Sequence, residues 1–399
     1  MSAVQWRFEA LDTFFFRDGR PFNAGESVWI DSQFPPTGRI LQGAIRTAVL
    51  THLGVDFEAF AKGSEHSPCT HGGRDLTDAL GNAISLGKLT LTGPFLTLDD
   101  ERLFPAPLDL VGHDGGFVLL RPGDAVHCDL GPVSLPRASG HGLKTQEGKY
   151  VQRQAMEKLL AGNAEDIVSV WHDGPNVAGN LWPLFTETPD APALADREPK
   201  IGLARDNDKR TSEQGMLYSI APVRPRKGVS LVILVDGLDP SDCPSVPFCQ
   251  RLGGERKLAR VTVGRPPSWP AMPSLSQHDG RFRFKFVLTT PAYFNGGWLP
   301  TGFNQISLAG QTAWRGNLHG VTCDILSACV GKPQKIGGWD MANNQPRADE
   351  TYVPAGSVFF CEADAGQTQD FSALHGNKIG ANTEYGFGHL LVGNWGLQK

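Results

Sequence analysis

The stretch RFRFKFVLTTP at residues 281–291 decides the fold class, because aromatic and basic side chains alternate along it. Successive side chains of a β-strand point to opposite faces of a sheet, so its three phenylalanines would share one face and its three cations the other. The simpler interpretation is a phenylalanine face buried in a core, with the cations in solvent. The alternative is a basic face that lies along a nucleic acid.

Other segments also predict strands. AVQWRFEALDTFFF at residues 3–16 alternates well enough for a first strand, and GVSLVILVDGL at 228–238 is a β-branched apolar run that ends in a glycine turn. The 47 glycines and 29 prolines divide the chain into short segments, which disfavours a helical bundle. The sequence therefore predicts an α+β protein whose strands are joined by long, irregular loops.

Two segments have the pattern of helices. Apolar residues recur at helical spacing from a potential cap at Thr37 to Gly54, and the opposite side of this helix carries Arg39 and Arg46 about two turns apart. KYVQRQAMEKLLAG at residues 149–162 predicts a second, shorter helix that ends at its glycine.

Composition excludes several classes of protein. The 399 residues contain no run of about 18 apolar residues, and the N-terminus has no signal-peptide pattern, so we expect a cytoplasmic protein. Seven cysteines without a CxxC pair do not predict a disulfide framework. His66, Cys69 and His71 lie close together, but nothing fixes a fourth ligand, so neither a metal nor another cofactor is expected.

Positive charge is concentrated locally, although the net charge of the chain is −5. RLGGERKLARVTVGR at residues 251–265 has a single acid, Glu255, and the cations Arg251, Arg256, Lys257, Arg260 and Arg265. This segment is a candidate surface for phosphate groups. The simpler interpretation is the solvated face of a helix or hairpin, which would have the same composition.

A glycine-rich stretch, TEYGFGHLLVG, occupies residues 383–393. Gly386 and Gly388 allow positive φ or a close approach of the backbone to a ligand. A dinucleotide-binding fingerprint needs a further glycine three positions after the second, where this chain has Leu391. GNAISLGK at residues 81–88 has five residues instead of four between its glycines, so it is not a phosphate-binding P-loop.

Six segments in order resemble one family. The match extends from residue 8 to residue 395 and is weak only in the loops at 54–85 and 134–165. The family is the RAMP superfamily member of the type III-B CRISPR (Cmr) effector complex that caps the 5′ end of the guide RNA. The segments are FFFRDGRPFNAGESVWIDSQFPPTGRILQGAIR, REPKIGLARDNDKRTSEQGMLYSI, RLGGERKLARV, LTTPAYFNGGWLP, IGGWDMANNQPRADETYVPAGSVFF and TEYGFGHLLVGNW.

The resemblance implies two ferredoxin-like domains related to the RNA-recognition motif, with long loop insertions. We place the first at residues 1–195 and the second at 196–399, where it carries the glycine-rich loop. In such proteins this loop lies close to RNA, so its backbone N–H groups would approach phosphate oxygens and Phe387 would pack under a base or ribose. The alternative is a tight turn with Phe387 in the core. The candidate RNA-binding residues are Arg17, Arg20, Arg39, Arg46, Gly386, Phe387, Gly388 and His389.

The resemblance also implies partners and the absence of catalysis. The expected partners are the repeat-derived 5′ handle of the guide RNA (crRNA), the large polymerase-like subunit and a neighbouring backbone RAMP subunit. The histidines are scattered singly, so we expect a non-catalytic subunit. One alternative is a guide-processing endoribonuclease of the same superfamily, for which His389 is the best catalytic candidate. Another is an adaptor that binds only proteins.

Overall fold

The structure is a computed structural model that describes most of the chain. Arg20 and His66, both singled out by the sequence, lie outside the described residues. The described ranges are 3–17, 29–63, 69–82, 85–113, 116–164, 182–185, 193–295, 297–340 and 345–395.

Strands dominate the described chain. The helices are α1 (Gly38–His52), α2 (Phe57–Ala61), α3 (Leu76–Leu80), α4 (Arg153–Leu160) and α5 (Phe371–Leu374). The strands up to residue 206 are β1 (Val4–Ala10), β2 (Trp29–Asp31), β3 (Thr70–His71), β4 (Arg74–Asp75), β5 (Thr90–Leu98), β6 (Glu101–Pro105), β7 (Leu110–His113), β8 (Gly116–Leu119), β9 (Arg121–Cys128), β10 (Gly131–Arg137), β11 (Lys144–Thr145), β12 (Lys149–Gln152), β13 (Trp182–Pro183), β14 (Ala195–Arg197) and β15 (Lys200–Asp206). The later strands are β16 (Thr211–Ala221), β17 (Val223–Pro225), β18 (Val229–Asp236), β19 (Phe248–Arg251), β20 (Leu258–Gly264), β21 (Gln277–His278), β22 (Arg281–Leu288), β23 (Asn304–Leu308), β24 (Gln311–Leu318), β25 (Val321–Cys329), β26 (Gln334–Ile336), β27 (Trp339–Asp340), β28 (Gln345–Pro346), β29 (Glu350–Tyr352), β30 (Val358–Asp364), β31 (Tyr385–Gly386) and β32 (Leu390–Asn394).

The chain forms two compact units, each assembled from three separate stretches. Unit 1 consists of Met1–Asp100, Phe185–Pro266 and Lys335–Glu350, and unit 2 of Glu101–Leu184, Pro267–Gln334 and Thr351–Lys399. Residue 196 lies in β14, which pairs with β17. The division into two ferredoxin-like domains at this residue stays a prediction.

Unit 1 is built on an antiparallel sheet with the strand order β5-β18-β1-β20-β19. Trp6 and Phe8 of β1 are fully buried on one face of this sheet, and the Trp6 ring meets the edge of Phe248 of β19 at 6.3 Å. Helix α1 packs on the same face, where Gln250 donates a hydrogen bond to the carbonyl of Ala44 at 3.3 Å. The predicted strands at 3–16 and 228–238 are confirmed as β1 and β18, although the first ends at Ala10.

Unit 2 is built on a sheet with the strand order β21-β22-β30-β25-β24-β10-β9. Strand β32 adds to the other edge of β22, and β23 adds to β24. The pairs are antiparallel, except that β10 runs parallel to β24. Helix α4 packs on β32 and β6. The sequence predicted helix from residue 149, but Lys149–Gln152 forms β12, because these residues pair with β6 and β13 instead.

Strand β22 is the predicted RFRFKF strand, and its phenylalanine face lies in the core. Phe284 and Phe286 are fully buried, and Phe286 stacks on Phe359 of β30 with ring centroids 4.6 Å apart. Phe371 of α5 meets Phe284 edge-on at 4.9 Å. Aromatic pairs at these separations contribute on the order of 0.5–1.5 kcal/mol beyond the area that they bury.

The basic face of β22 is neutralised by acids of unit 2, so its cations are not simply in solvent as the favoured interpretation had them. Arg281 pairs with Asp324 at 2.6 Å, and Arg283 pairs with Glu362 at 3.0 Å. Lys285 pairs with Asp109, and both side chains are only 1% exposed. Burial raises the pKa of Asp324, but hydrogen bonds from Arg315 and Arg281 outweigh it and lower that pKa below its usual value.

The pair of Lys285 and Asp109 gives a stability prediction. Lys285→Met leaves the Asp109 carboxylate buried without a counter-charge, so we expect the free energy of unfolding to fall by about 3–5 kcal/mol. Replacing both residues, as Lys285→Met with Asp109→Leu, removes the buried charge and should recover much of this loss. Urea unfolding followed by circular dichroism measures both. Equal losses in the single and double variants would contradict the electrostatic origin.

Candidate RNA-binding surface

The glycine-rich loop is a tight turn packed against its own unit. Gly386 and Gly388 have φ of 91° and 76°, a region that favours glycine. A Cβ at Gly388 would collide with the carbonyl oxygen of Ile379. The close approach that the glycine permits is therefore to another segment of unit 2.

Three backbone N–H groups of this loop donate hydrogen bonds within unit 2. The Gly386 N–H donates to the Thr383 carbonyl at 3.1 Å, and the Gly388 N–H donates to the Pro291 carbonyl at 2.8 Å. The His389 N–H donates to the Thr290 hydroxyl at 2.9 Å. The Phe387 side chain is 3% exposed, and its ring lies 4.6 Å from that of Tyr352. In this conformation Phe387 lies in the core, as in the tight-turn alternative, and its packing under a base stays a prediction.

His389 lies in a sealed stack of side chains. Its ring is fully buried, stacks on Trp269 with centroids 4.4 Å apart, and shares a hydrogen bond of 2.5 Å with the Thr289 hydroxyl through Nδ1. The guanidinium of Arg102 lies 4.2 Å from the centroid of the Trp269 ring. Burial, together with the positive charge of Arg102, lowers the pKa of His389 to about 3. In this conformation the His389 imidazole is neutral at pH 7 and has no contact with solvent.

The arginines of α1 bind segments of unit 1. Arg39 donates to a Glu350 carboxylate oxygen at 2.9 Å, with its side chain 16% exposed. Arg46 donates to the carbonyl of Asn82 at 3.0 Å and also to that of Ser85. These contacts hold two loops against the helix. The sequence did not reveal them, because Glu350 is remote along the chain and backbone carbonyls carry no sequence signal.

Arg17 stands apart from the helix arginines. It is exposed, and its backbone forms an isolated bridge with Ser32. Seven of the eight predicted RNA-binding residues are described by the structure. Arg17 is exposed, Arg39 and Arg46 are bonded within unit 1, and Gly386, Phe387, Gly388 and His389 are buried in unit 2.

Features of two other protein classes are absent from the described part of the chain. Its histidines, cysteines and acids form no group of three or more that could hold a metal ion, and Cys69 and His71 are the described members of the cluster noted above. None of its helices is long and apolar enough to span a membrane.

The profile of the CRISPR-associated protein family Cas_Cmr3 matches residues 6–395. The chain belongs to this family. It is therefore a RAMP subunit of a type III CRISPR effector. The sequence has no significant match among curated proteins.

The solved structures that the chain matches include subunits of type III complexes. A chain of the type III-B Cmr-beta complex bound to cognate target RNA is 15% identical with a TM-score of 0.48, over 97% of this chain and 96% of that one. A chain of the Csm3-Csm4 subcomplex of a type III-A interference complex is 10% identical with a TM-score of 0.39, over 89% of this chain and 92% of that one.

The environment of His389 predicts a pH dependence of stability. Its pKa is about 3 in the folded protein and about 6.5 when unfolded, so the unfolded state binds more protons as the pH falls below 6.5. The free energy of unfolding is therefore unaffected by His389 above pH 6.5. It decreases by about 1.4 kcal/mol for each pH unit below 6.5, which amounts to about 2 kcal/mol at pH 5. We expect wild type to lose this much more than His389→Gln between pH 7.5 and 5.0 in urea unfolding. The pKa of His375 is also lowered by burial, but this residue is present in both proteins. Parallel losses would show that His389 is not held neutral.

The pair of Arg39 and Glu350 predicts a measurable coupling. In a double-mutant cycle with Arg39→Gln and Glu350→Gln, we expect a coupling free energy of about 1 kcal/mol, because both side chains are partly buried. Arg197 and Asp31, 36% and 42% exposed, are the matched control and should couple by less than about 0.5 kcal/mol. No coupling at Arg39, together with weaker RNA binding by Arg39→Gln, would assign this arginine to RNA instead.

Proposed function

We propose that the chain is a non-catalytic guide-RNA-binding subunit of a type III-B CRISPR effector complex in the cytoplasm. It binds the repeat-derived 5′ handle of the crRNA, docks the large polymerase-like subunit and adjoins a backbone RAMP subunit. The observation that carries this proposal is the match to the Cas_Cmr3 family over residues 6–395. A match that spans both units supports a role for the whole chain in the assembly.

The RNA contacts that we propose come mainly from side chains in solvent. Arg17 is exposed, and an exposed guanidinium can bind phosphate oxygens in a bidentate manner. Arg20, three residues further along the chain, is the second proposed contact. Arg39 and Arg46 support this surface by fixing the loops that they bind. The glycine-rich loop contributes shape rather than phosphate contacts, because the N–H groups of Gly386, Gly388 and His389 already donate within unit 2.

The proposal that the subunit is non-catalytic is supported by its buried histidines. His389 is sealed and neutral, and His375 has both ring nitrogens engaged, by the Pro270 carbonyl at 2.9 Å and by the Val392 N–H at 3.0 Å. Neither is placed to transfer a proton to RNA. No observation in the described chain favours the endoribonuclease alternative over the proposed role.

Sequencing of retained RNA tests the proposal. The complex is purified after co-expression of its subunits with a repeat-spacer array, with and without this chain. We expect the RNAs retained with the chain to share one repeat-derived 5′ end, because the chain covers that end. Without the chain, the ends should become heterogeneous. Uniform ends in its absence would overturn handle binding, and an intact complex that retains no RNA would favour a protein-only adaptor.

A metal-free cleavage assay on a repeat hairpin RNA distinguishes the endoribonuclease alternative from the non-catalytic proposal. We expect no cleavage by the purified chain, and none by His389→Ala. Cleavage by wild type that His389→Ala abolishes would overturn the non-catalytic proposal.

A further inference from the structure

The β19–β20 hairpin of unit 1 presents one face to solvent. In its antiparallel register Cys249 lies opposite Arg260 and Arg251 opposite Leu258, so these four side chains share a face. All four are exposed. The other face carries Phe248 and Gln250 toward Trp6 and α1.

The arginines of this hairpin have no internal partner. Four exposed arginines have side chains that form no ion pair or hydrogen bond within the described part of the chain: Arg251, Arg256, Arg260 and Arg265. This distinguishes them from the arginines elsewhere in unit 1 that bind acids, such as Arg39, Arg197, Arg224 and Arg226.

Few acids face these arginines. Glu255 is the acid within residues 251–265, and Glu9 of β1 lies opposite Arg260 in the register without forming a salt bridge. Lys257 is directed elsewhere, to Asp12 at 3.6 Å. The hairpin therefore has a local excess of positive charge on a chain whose net charge is −5.

The hairpin is held in place at its tip. The Gly254 N–H donates to the Phe15 carbonyl at 2.8 Å, and a Cβ at Gly253 would collide with that same oxygen. The Leu11 N–H donates to the Leu258 carbonyl at 3.1 Å. These contacts fix the backbone that carries the arginines, which lowers the entropy lost when a ligand binds.

The turn at the tip has an unfavourable backbone. The Lys257 N–H bonds to the Gly254 carbonyl at 3.2 Å and closes the turn, whose central residues Glu255 and Arg256 have φ of 53° and 52°. Asn-Gly suits a turn with two positive φ values better than Glu-Arg does. Strain of this kind persists where surrounding contacts fix the backbone, as the contacts of Gly253 and Gly254 with Phe15 do here, and it often occurs at functional sites.

We propose that the exposed face of the β19–β20 hairpin binds the phosphodiester backbone of single-stranded RNA through Arg251, Arg256 and Arg260. The inference rests on the proposed function. It develops the basic segment 251–265, which the sequence indicated as a candidate surface for phosphate groups and which lies outside the eight RNA-binding residues predicted above. Guanidinium groups bind phosphates in a bidentate manner and independently of base sequence. A protein partner is less suited, since the core of a protein interface needs aromatic or apolar anchors and this face offers Leu258 alone.

Salt-dependent binding of labelled RNA tests the surface. The purified chain is titrated with a single-stranded RNA of the repeat 5′ handle and with one of unrelated sequence, at several salt concentrations. Each phosphate contact contributes roughly 0.7 to the slope of log K against log salt for a single strand. Arg251→Ala with Arg260→Ala should reduce the slope by about 1.4 for both RNAs. The matched control, Arg137→Ala with Lys144→Ala, removes two exposed cations of unit 2 and should leave the slope unchanged.

Arg256→Gly separates binding from folding. Glycine relieves the positive φ, so the melting temperature should rise by on the order of 2–4 °C, while RNA affinity falls. A residue with a purely structural role would not move the two readouts in opposite directions. Unchanged affinity in this variant would remove Arg256 from the surface.

The outcomes distinguish the surface from the proposed function. If wild type binds RNA with a salt-dependent affinity and the Arg251/Arg260 variant has the same slope, the inference is wrong and the proposed function stands. If wild type shows no salt-dependent RNA binding, both are overturned. Loss of binding to an acidic subunit of the complex, with RNA binding intact, would assign the face to protein and also overturn the inference.

Discussion

Strand β22 imposes the main constraint on unit 2, because it places three phenylalanines and three cations inside one sheet. The phenylalanine face is met by Phe359 of β30 and Phe371 of α5. The cationic face cannot be left buried without counter-charges, since an unpaired charge in a protein interior is costly. Unit 2 therefore supplies acids from three separate strands or loops. The positions of β30 beside β22 and of β25 beside β30 follow from both demands.

The alternation of β22 was readable from the sequence, but the fate of its cations was not. Period-two alternation fixes which side chains share a face, whatever the neighbours are. Pairing depends on Asp109, Asp324 and Glu362, which tertiary contacts bring to the strand. The boundaries of α1 were predictable for a similar reason, since its apolar spacing and the flanking Thr37 and Gly54 are local signals. By contrast, Lys149–Gln152 became a strand because β6 offered it a pairing edge.

The glycine-rich loop shows the same limit at a candidate site. Glycine at 386 and 388 predicted a backbone that makes a close approach, and Gly388 does approach a carbonyl closely. Tertiary structure decides which group is approached, and here that group is the carbonyl of Ile379 in the same unit. The environment of His389 likewise depends on Trp269 and Arg102, whose positions in the sequence give no indication that they stack beside it. Local sequence thus predicted a close approach of the backbone, and tertiary packing determined which group it approaches.

Internal pairing also changes how basic residues should be interpreted in this chain. Arg39 and Arg46 lie on α1, within one of the segments that resemble the family. Their guanidinium groups nevertheless already bind a carboxylate and backbone carbonyls. An RNA phosphate would have to displace these partners, and the gain from the new contact would be reduced by the loss of the old one. The hairpin arginines would lose only contacts with water when they bind a phosphate. An acidic protein can therefore bind a polyanion through a small surface, provided that its remaining cations are neutralised by its own acids. The distribution of ion pairs, rather than the net charge of −5, determines which cations of the described chain are available to a polyanion.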